Sequence, residues 1–225
     1  VIPEDGGVLI DKNARLDRVC LLACALATGY GAVTKTARVE GAANAAIFGF
    51  GGIGSGVLNG LVQSGADMII VIDPNDWKEE VAKRMGATHF INPKKENPVD
   101  RILELTHGIG ADYTFECYGD VHVQAQCYNA LRNKGQAVFI GSSEQNLNEI
   151  PINGSTFMTT EKSILGSLYG SCVPQVDIPK FVSLYMHGKF DLDTPVTKTF
   201  AFEEINKGFE ALRNGEVVRG VIDFD

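Results

Sequence analysis

The sequence predicts an α/β protein built on a doubly wound parallel sheet of six strands in the order 3-2-1-4-5-6. Three observations carry that expectation. From residue 45 onward, short runs rich in Val, Ile and Phe alternate with stretches of helical periodicity. These runs are continuous rather than alternating apolar and polar, as strands covered on both faces require. A glycine cluster follows the first run directly, at the position where a sheet of this kind turns from strand to helix beside its switch point.

The elements follow in order. Residues 1–17 read as irregular, with Pro3, the Gly6-Gly7 pair and a charged stretch from Asp11 to Arg15. Arg18 to Gly29 is apolar and small, and Thr28 to Ala37 is expected to continue as helix. "AAIFGF" (45–50) is the first strand, and Ser55–Ser64 an apolar helix. "MIIVID" (68–73) is the second strand, and Asn75–Met85 an amphipathic helix stopped by Gly86. "HFIN" (89–92) is a weak third strand, Asn97–Thr106 a helix, and "ADYTFECYG" (111–119) the fourth strand. Val121–Leu131 is the next helix and "GQAVFIG" (135–141) the fifth strand. A polar loop (142–154) precedes a sixth strand at about 163–168. Residues 178–190 and 202–215 read as helices, and 217–224 as a closing strand.

Composition excludes several classes. A chain of 225 residues can bury a full core without disulfide or metal staples. With 44% hydrophobic and 21% charged residues and a mean hydropathy of +0.01, it is not disordered, collagen-like or coiled-coil. A net charge of −8 and a pI near 5.0 argue against a sequence-blind nucleic-acid binder, which needs a basic face. No apolar run approaches the ~18 residues of a membrane span, and no signal-peptide pattern is present. Cys20, Cys24, Cys117, Cys127 and Cys172 form no CxxC, which suits a reducing, cytoplasmic setting. The chain starts at Val1 rather than Met and is expected to be a piece of a longer protein.

One motif carries chemistry. Gly49-Phe50-Gly51-Gly52-Ile53-Gly54 is G-x-G-x-x-G between a strand and a helix, and Asp73 ends the second strand 19 residues beyond Gly54. The first glycine permits the tight turn, the second lets backbone approach a pyrophosphate, and the third lets helix and strand pack closely. The helix start offers unpaired N–H groups to the phosphates. Asp73 can accept from both ribose hydroxyls and would repel a 2′-phosphate, which favours NAD over NADP. A structural glycine turn is the alternative, weakened by the strand, helix and acid at the right distances. Lys78 either reaches the adenosine ribose or is a solvated helix lysine.

Beyond these residues, "VCLLACALATGYGAV" (19–33), "IFGFGGIGSG" (47–56), "VIDPN" (71–75), "GATHFINP" (86–93), "FECYG" (115–119) and "GFEALRNGEVVRGVIDF" (208–224) stand in one order. In that order they resemble the medium-chain, zinc-dependent alcohol dehydrogenase family, from about Asp11 to Phe224. The likeness is to its NAD-using branch, with thiol-dependent formaldehyde and aryl-alcohol dehydrogenases. The resemblance implies a Rossmann domain at 28–167, with remnants of a GroES-like catalytic domain at 1–27 and 168–225. It implies that Cys24 stands at a catalytic zinc ligand and Thr28 at a nicotinamide contact. It implies further cofactor contacts at Ile140, Gly141 and Ser142, at Ser167, Leu168 and Tyr169, and at Arg219, which would reach the pyrophosphate. Without the resemblance, Cys24 reads as a buried cysteine and Arg219 as a surface strand residue. The other four cysteines read as packing, and His89, His107, His122 and His187 as structural or solvated.

The same resemblance implies NAD-dependent oxidation of a small-molecule alcohol to an aldehyde or ketone, zinc-assisted in the complete enzyme, in a homodimer or homotetramer. This chain lacks the family's G-H-E and its four-cysteine lobe. A zinc site needs three protein ligands, so the chain alone is expected to bind NAD without zinc or turnover and to expose the Cys24 thiol. The alternative is a non-catalytic NAD-binding module or truncated paralogue. A zinc-free, NADPH-using quinone or enoyl reductase is weakened by Asp73 and Cys24.

Overall fold

The computed structural model describes residues 3–142 and 149–224. The N-terminal segment forms helix α1 (Leu16–Val19), a 3-10 turn at Cys20–Ala23, α2 (Ala25–Gly31) and a wider turn at Ala32–Ala37. Alternating strands and helices follow as β1 (Asn44–Phe48), α3 (Gly52–Gln63), β2 (Met68–Ile72), α4 (Lys78–Arg84) and β3 (His89–Ile91). They continue as α5 (Pro98–Leu105), β4 (Ala111–Glu116), α6 (Val121–Asn129), β5 (Leu131–Phe139), α7 (Gly154–Thr160) and β6 (Ser163–Gly166). The chain closes with α8 (Pro174–Met186), β7 (Val196–Ala201), α9 (Ile205–Arg213) and β8 (Arg219–Asp223).

All six strands of the main sheet run parallel in the order β3-β2-β1-β4-β5-β6. This is the expected order. Its physical cause lies in β1 and β2, which are buried along four of five residues each. Ile47, Val71, Phe115 and Val138 pack against Val57, Leu58 and Leu61 of α3 on one face. Phe48, Ile70, Ile72 and Ala137 meet Ile102 and Cys127 on the other. Each Val, Leu, Ile or Phe among them contributes roughly 1.5–3 kcal/mol when fully buried.

A third core joins the two ends of the chain. Leu22, Leu26 and Tyr30 pack with Phe181, Val182, Phe190, Leu192 and Val221. The Tyr30 ring stacks on Phe190 at 4.8 Å and meets Phe181 edge-on at 5.1 Å. No single helix among the described residues is long and apolar enough to cross a membrane. Leu16–Ala23 and Ala25–Ala37 pass that test only as a pair bent by 59°, and their apolar face belongs to this core.

Several elements depart from the sequence expectation. The run from Arg18 to Ala37 is not one helix, because Cys24 (φ −150°, ψ −81°) breaks it. The fifth strand begins at Leu131, four residues early, because Leu131 already pairs with Ala111 before a detour through Lys134 (φ 64°). Helix α8 starts at Pro174 rather than 178: proline suits a first helical turn, and Asp177 accepts from the Val173 amide at 2.8 Å. Strand β7, with three of its six residues exposed, has no continuous apolar run to announce it. It pairs in parallel with β8. Helix α7, capped by Asn153, follows the polar loop, and residues 143–148 of that loop lie outside the described residues.

Candidate functional site

The candidate site is the crevice above the carboxyl ends of β1, β2 and β4, at the reversal of strand order. Part of it is a cleft of about 530 Å³. One wall is Phe50, Asp73, Asn75 and Lys78, and the other is Cys117, Tyr118, Val123 and Gln126. Leu212, Arg213 and Gly215 close it from the far end of α9. Trp77 ties this last segment down by donating from Nε1 to the Gly215 carbonyl at 3.0 Å.

The glycine turn sits at the mouth of α3. Gly51 is its N-cap and brings no side chain to the first amides, so the helix end keeps the unpaired donors described above. A Cβ on Gly51 would meet open space. A Cβ on Gly54 would collide with the carbonyl oxygen of Gly49, whose φ of 98° makes the turn. Between them, Ile53 is half-buried in the first turn of α3 and packs against the core. The two glycines thus have separate physical reasons, space above the helix and close packing beneath it.

Asp73 follows β2 and is buried. Its Oδ2 accepts from the Phe50 amide at 3.0 Å and from Lys78 Nζ at 2.8 Å. Its Oδ1 accepts from the Asn75 amide and from Asn75 Nδ2, both at 3.0 Å. Lys78 is not a solvated helix lysine. It is buried and also donates to the Phe50 carbonyl at 2.9 Å. The pair therefore braces the glycine turn against the end of β2.

Arg219, half-buried at the start of β8, crosses the first turn of α3. A Cβ on Gly52 would lie 2.8 Å from Arg219 Cδ and 3.0 Å from its NH1. Arg219 Nε is buried with no partner among the described residues. A buried donor without an acceptor costs roughly 1–3 kcal/mol, and an anion held at the helix mouth would relieve it. The residues present therefore fit a dinucleotide pyrophosphate.

The remaining predicted residues lie at the start of and within α2, after β5 and after β6. Gly29 and Gly56 let α2 and α3 touch backbone to backbone, since a Cβ on either would collide with the Ile53 or Leu26 carbonyl. This contact sets Ala25 against Gly52, with Thr28 buried in α2. Gly170 sits on the Thr28 carbonyl. Ser167 shares a hydrogen bond with Thr36 at 2.9 Å. Tyr169 donates to Ala23 O at 3.0 Å, and burial, with Cys24 and Cys172 nearby, raises its hydroxyl pKa. Leu168 is 91% exposed. Ile140 and Gly141 follow β5 in half-buried positions, and Ser142 is exposed.

Cys24 is exposed at the break before α2, not buried as its apolar setting alone suggested. Cys20 is exposed too, so it does not serve packing. Cys127 is in the core, and Cys117 and Cys172 are intermediate. Burial pushes the Cys172 thiol up to about 11. Among the described residues no group of three His, Cys, Asp or Glu side chains could hold a metal ion. The described residues do not by themselves fit a zinc site.

Sequence reasoning missed the far wall, Tyr118, Val123 and Gln126, and the cover, Leu212, Arg213 and Gly215. These residues lie distant in sequence from the glycine turn, and no local spacing signals their approach.

Residues 52–186 match the zinc-binding dehydrogenase family model. The chain is 40% identical to an S-(hydroxymethyl)glutathione dehydrogenase from Paracoccus denitrificans, over 99% of this chain and 60% of that protein. It is 39% identical to a class-3 alcohol dehydrogenase from Cereibacter sphaeroides, over 100% of this chain and 61% of that protein. The crystal structure of benzyl alcohol dehydrogenase from Acinetobacter calcoaceticus superimposes with a TM-score of 0.91 at 31% identity, covering 97% of this chain and 59% of that one. The chain thus spans about three fifths of the length of these relatives.

Proposed function

The chain belongs to the zinc-binding dehydrogenase family, and from that premise we propose that it holds NAD in the crevice of a protein that oxidises an alcohol to an aldehyde or ketone. The observation that carries the cofactor reading is the orphaned Arg219 Nε beside the open helix mouth at Gly51. Asp73 would take the adenosine ribose, with the Asn75 side chain as the contact most readily exchanged, because the Asn75 amide already serves the same oxygen. Gly51, Gly52 and Arg219 would take the pyrophosphate. Thr28, Ile140 to Ser142 and Ser167 to Tyr169 would shape the nicotinamide end. When bound, the nicotinamide supplies the hydride-accepting carbon. The chain's own residues bind, orient and shield it.

For this stretch of chain by itself, we propose cofactor binding without alcohol turnover. Cys24 is the single residue that the resemblance assigns to zinc, and three protein ligands are needed. Titration with NADH, followed by nicotinamide fluorescence, is expected to saturate, while NAD with short or aromatic alcohols gives no NADH from this chain. Absence of saturable NADH binding would overturn the cofactor reading. Alcohol-dependent NADH formation by the chain alone would overturn the second part. A cytoplasmic location belongs to the same proposal, supported by cysteines without a CxxC pair.

Self-association is part of the proposal. Strand β6, with Ile164 and Leu165, forms the edge of the six-stranded sheet, and a bare edge tends to find a partner. A closed two-fold contact is the commonest solution. Light scattering at micromolar concentration is expected to give at least a dimer, and a monomer counts against it.

A further inference from the structure

Glu116 is the last residue of β4, beside Phe48 of β1 in register, and it is fully buried. Its Oε1 accepts from the amides of Tyr118 at 2.8 Å and Gly119 at 2.6 Å. Its backbone carbonyl accepts from the amides of Ile140 at 3.0 Å and Gly141 at 3.1 Å. One residue therefore holds both the β4–α6 loop and the segment after β5. The two segments touch through glycines: a Cβ on Gly141 would collide with the Gly119 amide, and one on Gly119 with the Ser142 carbonyl. Oε2 lies at this junction, 2.8 Å from where a Gly141 Cβ would stand, buried and with no partner among the described residues. Burial raises the carboxyl pKa, and the backbone amides of Gly119, Tyr118, Asp120 and Gly141 pull it back down.

Stability alone does not explain a carboxyl group in this place. A buried acid with one unpartnered oxygen costs free energy that an apolar side chain would not. The acid does supply an acceptor for two amides that no apolar side chain could serve. Tyr118 lines the cleft, and Gly141 and Ser142 abut the neighbouring Gly119.

We propose that Glu116 is a positioning residue of the cofactor crevice, bracing the Tyr118 loop against the segment after β5 so that a bound dinucleotide meets a preset wall at Tyr118. The proposal rests on the NAD reading above. It assigns Glu116 no contact with the cofactor.

The test compares the unsubstituted chain with Glu116→Gln, Glu116→Leu and Glu116→Asp. Each is followed by thermal melting, amide hydrogen exchange at 118–119 and 140–142, and NADH titration. Glutamine keeps an oxygen for both amides, whereas leucine orphans them. Glu116→Leu is expected to speed exchange in both segments and to weaken NADH binding about tenfold, the cost of at least one lost acceptor. Glu116→Gln is expected to stay within about threefold of the unsubstituted chain. If Glu116→Leu does not fold, Glu116→Asp, which shortens the reach, is expected to show the same loss as leucine. A folded Glu116→Leu or Glu116→Asp that binds NADH normally would overturn the proposal, as would a Glu116→Gln that falls as far as leucine. An unsubstituted chain without saturable NADH binding overturns the NAD reading itself and takes the cofactor role of Glu116 with it.

Discussion

Asp73→Ala is expected to abolish tight NADH binding and to destabilise the fold by about 3–5 kcal/mol, the usual cost of removing one partner of a buried ion pair. The carboxylate is the junction of four hydrogen bonds. Its loss would strand the buried Lys78 ammonium with the Phe50 carbonyl as its remaining recorded acceptor. It would also free the Phe50 amide, so the glycine turn would lose its tie to β2. Denaturant unfolding and NADH titration read the two losses separately. Asp73→Asn keeps the shape and an acceptor oxygen, and is expected to retain more stability than alanine while losing cofactor selectivity. A phosphate on the ribose 2′ position would stand beside the Asp73 charge. Two like charges ~4 Å apart repel by roughly 4 kcal/mol at an effective dielectric of 20. The unsubstituted chain is therefore expected to prefer NADH to NADPH by at least about tenfold. Asp73→Ser with an arginine introduced nearby is expected to shift that preference toward NADPH. Equal affinity of the unsubstituted chain for NADH and NADPH, or normal NADH binding by Asp73→Ala, would remove Asp73 from the ribose.

The main sheet was legible because its signal is local. Each buried strand is a short Val/Ile/Phe run, each helix shows its own period, and the glycine turn fixes where the first strand meets the first helix. Pairing order then follows from the few ways such a repeat can wind. The place of Asp73 after β2, beside the glycine turn, was legible for the same reason, since that distance is set by one helix and one strand. Strand β7 was not, because a half-exposed strand leaves no continuous apolar run. Lys78 could be read two ways from sequence. Its position on α4 is visible, but its burial depends on Phe50 and Asp73 closing around it. Cys24 illustrates the opposite limit. Its apolar neighbours suggest the interior, yet the break in the backbone at that residue turns it outward while Leu22 and Leu26 turn in. Glu116 stood in plain view within "FECYG", but its role depends on the meeting of Gly119 and Gly141, which no sequence spacing records.

The two glycines of the α3 turn are expected to separate folding from binding. Gly54→Ala places a methyl group into the Gly49 carbonyl oxygen, with the Ile47 side chain 3.4 Å away behind it. Neither backbone can yield without opening the contact between β1 and α3. Overpacking of this kind costs typically 1–3 kcal/mol and occasionally more, and a clash with backbone belongs at the upper end, so a loss of about 3 kcal/mol is expected. Gly51→Ala meets nothing within 4 Å, and its φ of −118° is open to any residue. Alanine is a poorer N-cap than glycine, which sets the stability loss at about 1 kcal/mol or less. The new methyl group does, however, stand in the open space that a pyrophosphate would use to reach the helix amides. Hydrogen bonds to a charged group are worth roughly 1.5–3 kcal/mol each. Holding the phosphate off even one amide is therefore expected to weaken NADH binding by about 10- to 100-fold. Adenosine, which carries no phosphate, is expected to bind both proteins alike. Melting curves with NADH and adenosine titrations on the two variants test the pair. A Gly51→Ala chain that binds NADH as the unsubstituted chain does would mean that the phosphates do not pass over this turn.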